Sequence, residues 1–239
     1  MSKLKYTELK GAMRMIKRTK LSDRILPDYT QKEERLNTVT HIVGGAFAVI
    51  ACALCVVFSA IKLNPMLIVT SAVYGGSLVL LYCVSSVYHG LYLCTGKKVM
   101  QVIDHCTIYF LIGGTYTPIA LCGLTKVSLA LGWGVFGFVW LLCAVACAFT
   151  AIDLKKYNTL SMTCYILSGW CIIAVVKPTI RAIGKEAFLW LLAGGIFYTV
   201  GAVLYGIGTK KRYMHSLFHI FVIIGSVLQF VAIFFYIVL

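Results

Sequence analysis

The stretch HIVGGAFAVIACALCVVFSAI, residues 41–61, contains no lysine, arginine, aspartate or glutamate. A helix needs about 20 apolar residues to cross the roughly 30 Å hydrocarbon core of a bilayer, and this stretch is long enough. Inside hydrocarbon, the backbone N–H and C=O groups must find their partners within the segment itself, which favours a helix. Residues 41–61 therefore predict a membrane-spanning helix.

Six further segments have the same character. The chain of 239 residues is 60% hydrophobic and 13% charged, whereas a soluble domain usually carries about a quarter charged residues. This composition excludes a soluble enzyme, a secreted disulfide scaffold and a disordered chain. It predicts an all-α integral membrane protein, a seven-transmembrane helix bundle. The predicted spans cover residues 40–61, 66–94, 101–122, 128–152, 160–179, 187–208 and 213–238.

The basic residues indicate the orientation of these spans. Lysine and arginine number 22 against 8 aspartates and glutamates, which gives a net charge of +14. If the N-terminus is cytoplasmic, 17 basic residues lie inside and 5 outside, the bias typical of cytoplasmic loops. We therefore expect a cytoplasmic N-terminus and an external C-terminus. The positive charge is expected to meet anionic lipid headgroups, not nucleic acid.

Two domains are predicted. Residues 1–29 form a basic cytoplasmic tail, and residues 30–239 form the membrane domain. Thr30 and Glu33 have the spacing of a capping box, so a helix is expected to start near Gln31 and to run along the interface into the first span. The ten cysteines lie almost entirely within apolar runs, where we interpret them as packing residues.

Ionisable residues within spans are costly and mark functional sites. Four of them are predicted at similar depth near the cytoplasmic side, about 5–12 Å along their helices from the flanking basic loops. These four are His89 in span 2, Asp104 in span 3, and His215 and His219 in span 7. Their common depth predicts a single polar site.

His215 and His219 are four residues apart and share one helix face, a spacing that lets two imidazoles bind one metal ion. His89 would complete a three-histidine zinc site with an open position. Asp104 could then support the ligands by hydrogen bonding or act as a general base for the water. Ser85, one turn before His89, could orient the site or hydrogen-bond a substrate carbonyl. The alternatives are a proton relay or simple hydrogen bonds between helices, and for Ser85 a bond to its own helix.

Glu34, Asn37 and His41 form one stripe on the first predicted helix. This stripe either faces the bundle at the cytoplasmic edge or serves as a solvated, capping surface. The spacing does not decide between these roles. His105, next to Asp104, has an equally open role.

These residues resemble the motifs of the bacterial hemolysin III family, which is related to the progestin and adipoQ receptors and more distantly to alkaline ceramidases. The resemblance covers about residues 30–239, with the motifs in order along the chain. The matching motifs are Glu34-x2-Asn37-x3-His41, Ser85-x3-His89, Asp104-His105, the GGTYTP run of residues 113–118, and His215-x3-His219.

The resemblance implies a seven-helix bundle that binds Zn²⁺ through His89, His215 and His219, with Asp104 holding a water on the metal and Ser85 nearby. Some family members have a histidine in the second half of span 7, where this chain has Gln229. Gln229 lies about 25 Å from Arg212 along the helix, so this difference should not affect the zinc.

Three functions follow from such a site. The first is zinc-dependent hydrolysis of an amide or ester bond in a membrane lipid, as in a ceramidase. The second is a pore-forming cytolysin, which the family name implies, although a pore needs a polar stripe through the whole bilayer. The third is a sensor or regulator of the membrane in which zinc is structural. A multi-pass protein of the plasma membrane is expected in each case.

Overall fold

The fold is given by a computed structural model that describes residues 19–208 and 211–239. Seven of its helices are long and apolar enough to cross a membrane. They confirm the predicted all-α membrane protein with seven spans. These helices are α1 Gln31–Ile61, α2 Pro65–Gly90, α3 Thr95–Lys126, α4 Leu129–Ile152, α5 Asn158–Ile183, α6 Lys185–Gly208 and α7 Met214–Val238.

Helix α1 begins where the capping box predicts. The Thr30 hydroxyl accepts a hydrogen bond from the Glu33 N–H at 3.2 Å, and the Glu33 carboxylate accepts one from the Thr30 N–H at 2.8 Å. The predicted interfacial helix and the first span form one uninterrupted helix of 31 residues. At 1.5 Å per residue it is about 46 Å long, so it extends beyond the hydrocarbon core.

The helices pack in chain order, and α1 also contacts α7, which closes the bundle. Helix α3 is the most buried of the seven. Residues 91–94, 153–157 and 211–213 lie at one end of the bundle, which we call the basic face. The loops at the other end, which we call the opposite face, lie at residues 62–64, 127–128 and 184.

Small residues bring neighbouring helices close together. A Cβ atom added at Gly114 would lie 2.2 Å from the Ser77 hydroxyl, and one at Gly194 would lie 3.0 Å from the Gly225 carbonyl oxygen. Not every glycine has this role, because Gly134 and Gly137 on α4 face open space. The close contacts hold α3 against α2 and α7 against α6.

Residues 19–30, here called the N-terminal strap, run across the basic face. Lys98 donates a hydrogen bond to the Ser22 carbonyl at 2.7 Å, and Arg212 donates to the Asp28 carbonyl. Thr19 donates to Asp153 in loop 153–157 through both its N–H and its hydroxyl, at 2.9 and 2.5 Å. These hydrogen bonds attach the strap to the start of α3, to loop 153–157 and to the residues just before α7. The first 18 residues of the predicted tail lie outside the described residues.

Candidate metal centre

Three histidines meet near the basic face. His89 comes from the last turn of α2, and His215 and His219 lie one turn apart at the start of α7. The Nε2 atom of His215 lies 3.3 Å from the His89 Nε2 and 3.1 Å from the His219 Nε2. All three side chains are buried, and one ring nitrogen from each lies within 4.8 Å of the others. The structure therefore brings together the three residues that the sequence predicts as ligands.

The outer hydrogen bonds of two rings determine which nitrogen faces the cluster. The His89 Nδ1 lies 2.6 Å from a Glu34 carboxylate oxygen and must carry the proton, because a carboxylate accepts. The His219 Nδ1 lies 3.3 Å from the Asn37 backbone carbonyl oxygen, which can only accept, so we assign its proton to Nδ1 as well. The Nε2 atoms of His89 and His219 therefore both direct a lone pair toward His215.

A cation fits this arrangement of donors better than protons do. A neutral His215 can donate a proton to only one of the two lone pairs that face it. In tetrahedral zinc sites with Zn–N bonds of 2.0–2.1 Å, ligand nitrogens lie about 3.3 Å apart, close to the 3.3 and 3.1 Å found here. The three histidines can thus hold a metal ion.

The stripe on α1 faces the bundle, which answers the question that its sequence left open. Glu34 contacts His89, and the backbone carbonyl of Asn37 contacts His219. His41 stacks on His219 with ring centroids 3.7 Å apart, and neither of its nitrogens has a hydrogen-bond partner among the described residues. The start of α1 therefore surrounds the cluster without supplying a ligand to it.

Asp104 and Ser85 line the same cavity as His215 and His219. Asp104 is half-buried, and its carboxylate lies 3.8 Å from the His105 Nδ1. His105 itself lies apart from the cluster, because its nitrogens contact the Gln101 carbonyl at 2.7 Å and the Tyr205 hydroxyl at 2.9 Å. The structure thus assigns His105 to a bond between α3 and α6.

Tyr29 is a residue of this site that sequence reasoning did not identify. Its ring stacks on His215 with centroids 4.9 Å apart and covers the cluster from the basic face. Burial, followed by the nearby Tyr205, Glu34 and Asp104, raises the pKa of its hydroxyl, so Tyr29 stays neutral. A tyrosine just before a helix start has no sequence signal for this role.

One large cavity extends from the cluster into the bundle. It is partly open to its surroundings, and its wall reaches from His219 to Gln229 on α7. Those ten residues span about 15 Å of helix. Beyond the histidines its walls are mainly apolar, with Leu111, Ile112, Ile119, Ile172 and Leu191 among them. Such a space suits a long apolar group.

Comparison with known proteins assigns a family to this arrangement. The family model described as "Haemolysin-III related" matches residues 29–230. The chain belongs to the haemolysin III family. Curated relatives include Hemolysin-3 of Bacillus cereus, 34% identical over 206 residues, and the Hemolysin-3 homolog of Bacillus subtilis, 34% identical over 208 residues. These alignments cover 86% and 87% of this chain and 92% and 96% of the relatives.

A human protein, the monocyte to macrophage differentiation factor, is 25% identical over 173 residues, or 69% of each chain. The predicted resemblance to the haemolysin III family and its receptor relatives is therefore confirmed. Together with the seven spans, family membership identifies this chain as a multi-pass integral membrane protein.

Proposed function

We propose that this haemolysin III protein is a zinc-dependent hydrolase that cleaves an amide or ester bond of a membrane lipid. The observation that carries the proposal is the position of the three-histidine cluster. It lies at one end of an apolar cavity that also contains a carboxylate, Asp104, and a hydroxyl, Ser85. A lipid has the matching shape, with one polar bond next to a long apolar chain.

Zinc is the metal we assign, because three imidazoles with an open fourth position are typical of catalytic zinc sites. When bound, zinc would polarise a substrate carbonyl and lower the pKa of a water molecule. Cysteines are also zinc ligands, but those of the described residues lie elsewhere. The cluster of three histidines contains none of them.

Asp104 and Ser85 have separate roles in this proposal. Asp104 accepts the proton that a water loses as its oxygen bonds to the carbonyl carbon. Ser85 donates a hydrogen bond to the carbonyl oxygen as charge develops there. The C–N or C–O bond then breaks, and Asp104 returns the proton to the leaving amine or alcohol. The products are a carboxylic acid and that amine or alcohol.

The acyl chain of the substrate would occupy the apolar part of the cavity, between the cluster and Gln229. We place the basic face in the cytoplasm, on the ratio of 17 to 5 basic residues, and the protein in the plasma membrane. Its basic loops would then meet anionic headgroups, and no nucleic-acid partner is proposed.

A pore-forming cytolysin is the weaker candidate. A pore needs polar side chains through the full depth of the bilayer. In the half next to the opposite face, the described cavity wall is mainly apolar. We therefore favour hydrolysis over conduction.

Turnover by two variants tests the proposal. Purified protein in detergent is given mixed amide and ester lipids, and the released fatty acid is measured by mass spectrometry. Asp104→Asn keeps its shape but cannot accept a proton, so turnover should fall about 10²–10⁴-fold while zinc is retained. Glu186→Gln, at the opposite face and outside the cavity, is the control carboxylate and should keep full activity.

Absence of turnover on every amide and ester lipid would contradict the hydrolase. If zinc were nevertheless bound and its removal lowered the melting temperature, the metal would be a structural clamp between α2 and α7. The regulatory function would then replace the enzymatic one.

A further inference from the structure

Glu34 connects three parts of the molecule through the two oxygens of one carboxylate. One oxygen contacts His89 on α2, and the other contacts Lys97 on α3. We propose that Glu34, held in place by Lys97, is the positioning residue of the zinc site. In this role it orients the His89 ring and strengthens His89 as a ligand. This inference rests on the proposed zinc site but assigns a function to residues outside it.

The contact between Glu34 and His89 fixes the ring. The distance from Oε2 to Nδ1 is 2.6 Å, typical of a charge-assisted hydrogen bond. The Asn37 amide nitrogen lies 3.5 Å from the same Nδ1, but an amide nitrogen is a donor and cannot accept the Nδ1 proton. With the proton held on Nδ1, the lone pair of Nε2 points at the cluster. A carboxylate in this position also increases the basicity of a ligand imidazole.

Lys97 holds Glu34 from its other side. Its side chain is 3% exposed, so its ammonium group has lost water and needs protein partners. Its three N–H groups have three acceptors within reach: Glu34 Oε1 at 2.7 Å, the Leu91 carbonyl at 2.8 Å and the His89 carbonyl at 3.5 Å. Lys97 therefore fixes the carboxylate and also contacts the backbone of His89.

The three ligands differ in this outer support. His89 has a carboxylate, whereas the His219 Nδ1 lies near two neutral oxygens, the Asn37 backbone carbonyl at 3.3 Å and the Thr40 hydroxyl at 3.4 Å. The His215 Nδ1 has no hydrogen-bond partner among the described residues, although the Tyr29 ring stacks on its imidazole. Loss of Glu34 would thus remove the one charged support in the described part of the site.

Glu33 provides a matched control in the same helical turn. Its carboxylate contacts Thr30, the Tyr213 N–H at 2.7 Å and Arg212 at 3.3 Å. These partners hold the start of α1 and α7, and they include none of the three ligands. The same substitution at the two neighbouring glutamates therefore separates a change at the zinc site from a general loosening of α1.

The experiment measures zinc affinity of the full-length chain in detergent by competition with a chelator. Relative to wild type, Glu34→Ala should bind zinc about 10–100-fold more weakly, the usual cost of losing such a partner, and Glu33→Gln should stay within about threefold. Glu34→Gln should give an intermediate loss, because its amide oxygen still accepts the His89 proton but carries no charge. Cobalt bound in place of zinc should show a shifted visible absorption spectrum in Glu34→Ala.

Each outcome decides the inference. If Glu34→Ala and Glu34→Gln both bind zinc like wild type, or if Glu33→Gln loses as much affinity as Glu34→Gln, Glu34 is not a positioning residue, and the zinc site itself stands. If wild type binds no zinc, the proposed function fails together with this inference. Should Glu34→Ala not fold, the comparison of Glu34→Gln with Glu33→Gln carries the test.

Discussion

The two halves of the bundle use polar side chains differently. Near the basic face, buried groups carry or share charge: Lys97, Glu34 and the three histidines lie in one connected network. Near the opposite face, buried hydroxyls in the described part of the chain form hydrogen bonds with neutral partners. The Ser59 and Ser71 hydroxyls lie 2.8 Å apart, and the Tyr116 hydroxyl donates to the Gly169 carbonyl at 2.8 Å.

This difference indicates separate roles for the two halves of the bundle. Neutral hydrogen bonds between helices in a membrane contribute modestly, about 0.6 kcal/mol on average, and serve packing. Buried charges are costly unless they are paired, and they tend to occur at functional sites. The basic-face half is therefore where a metal and a reaction would be placed, and the other half provides a container for an apolar chain.

The largest expected effect is loss of the metal from His219→Ala. We expect bound zinc to fall from about one per chain to near zero, with a lower melting temperature, because metal binding stabilises the folded site. His105→Ala is the matched control, since His105 is a histidine of the same half that bonds to Gln101 and Tyr205. Elemental analysis of both variants measures this. Equal zinc in His219→Ala and wild type would refute the assigned ligands.

A smaller effect is expected from filling the cavity. Gly195 lines it, and a Cβ atom there would meet no other atom within 4 Å. A phenylalanine side chain at Gly195→Phe should take the place of an acyl chain and lower lipid turnover by about tenfold or more through misplacement of the substrate. Zinc content should not change. Gly137→Phe, on an exposed part of α4, should keep wild-type turnover. An equal loss of turnover in both variants would contradict the proposal that the cavity holds the acyl chain.

The smallest effect concerns the N-terminal strap. Burial raises the pKa of Asp153, but the hydrogen bonds from Thr19 outweigh burial and lower it to about 2. The stabilising contribution of the ionised group is therefore complete above the ordinary value of 3.8 and is lost as the pH falls toward 2. From pH 5 to 8 the strap should stay attached equally well. Protection of the Thr19 N–H against hydrogen exchange should therefore be constant from pH 5 to 8 in the wild type and lower in Asp153→Asn; equal protection in both would contradict this attachment.

Much of the fold could be predicted from the sequence. Runs of about 20 apolar residues have few stable structures in lipid other than helices, and Thr30 with Glu33 marked the start of α1. Helical spacing placed His215 and His219 on one face. The common depth of His89 with these two then predicted the cluster that the structure contains.

The supporting residues could not be predicted in the same way. Lys97 reads as a loop cation in the sequence, yet its burial follows from the packing of α2 against α3. Tyr29 lies over His215 only because the strap crosses the basic face. Glu34 contacts His89, and His105 bonds to α6 instead of the cluster, because of the way the helices are rotated about their axes in the bundle. Single-sequence periodicity does not determine that rotation.

X-ray absorption at the zinc edge of the purified wild-type protein tests the central claim most directly. The account predicts about one zinc per chain, with three imidazole nitrogens at 2.0–2.1 Å and one further light atom. Sulfur at about 2.3 Å would place zinc on cysteines, of which the chain has ten, and would contradict the three-histidine site. Protein that contains no zinc after metal loading would contradict it as well.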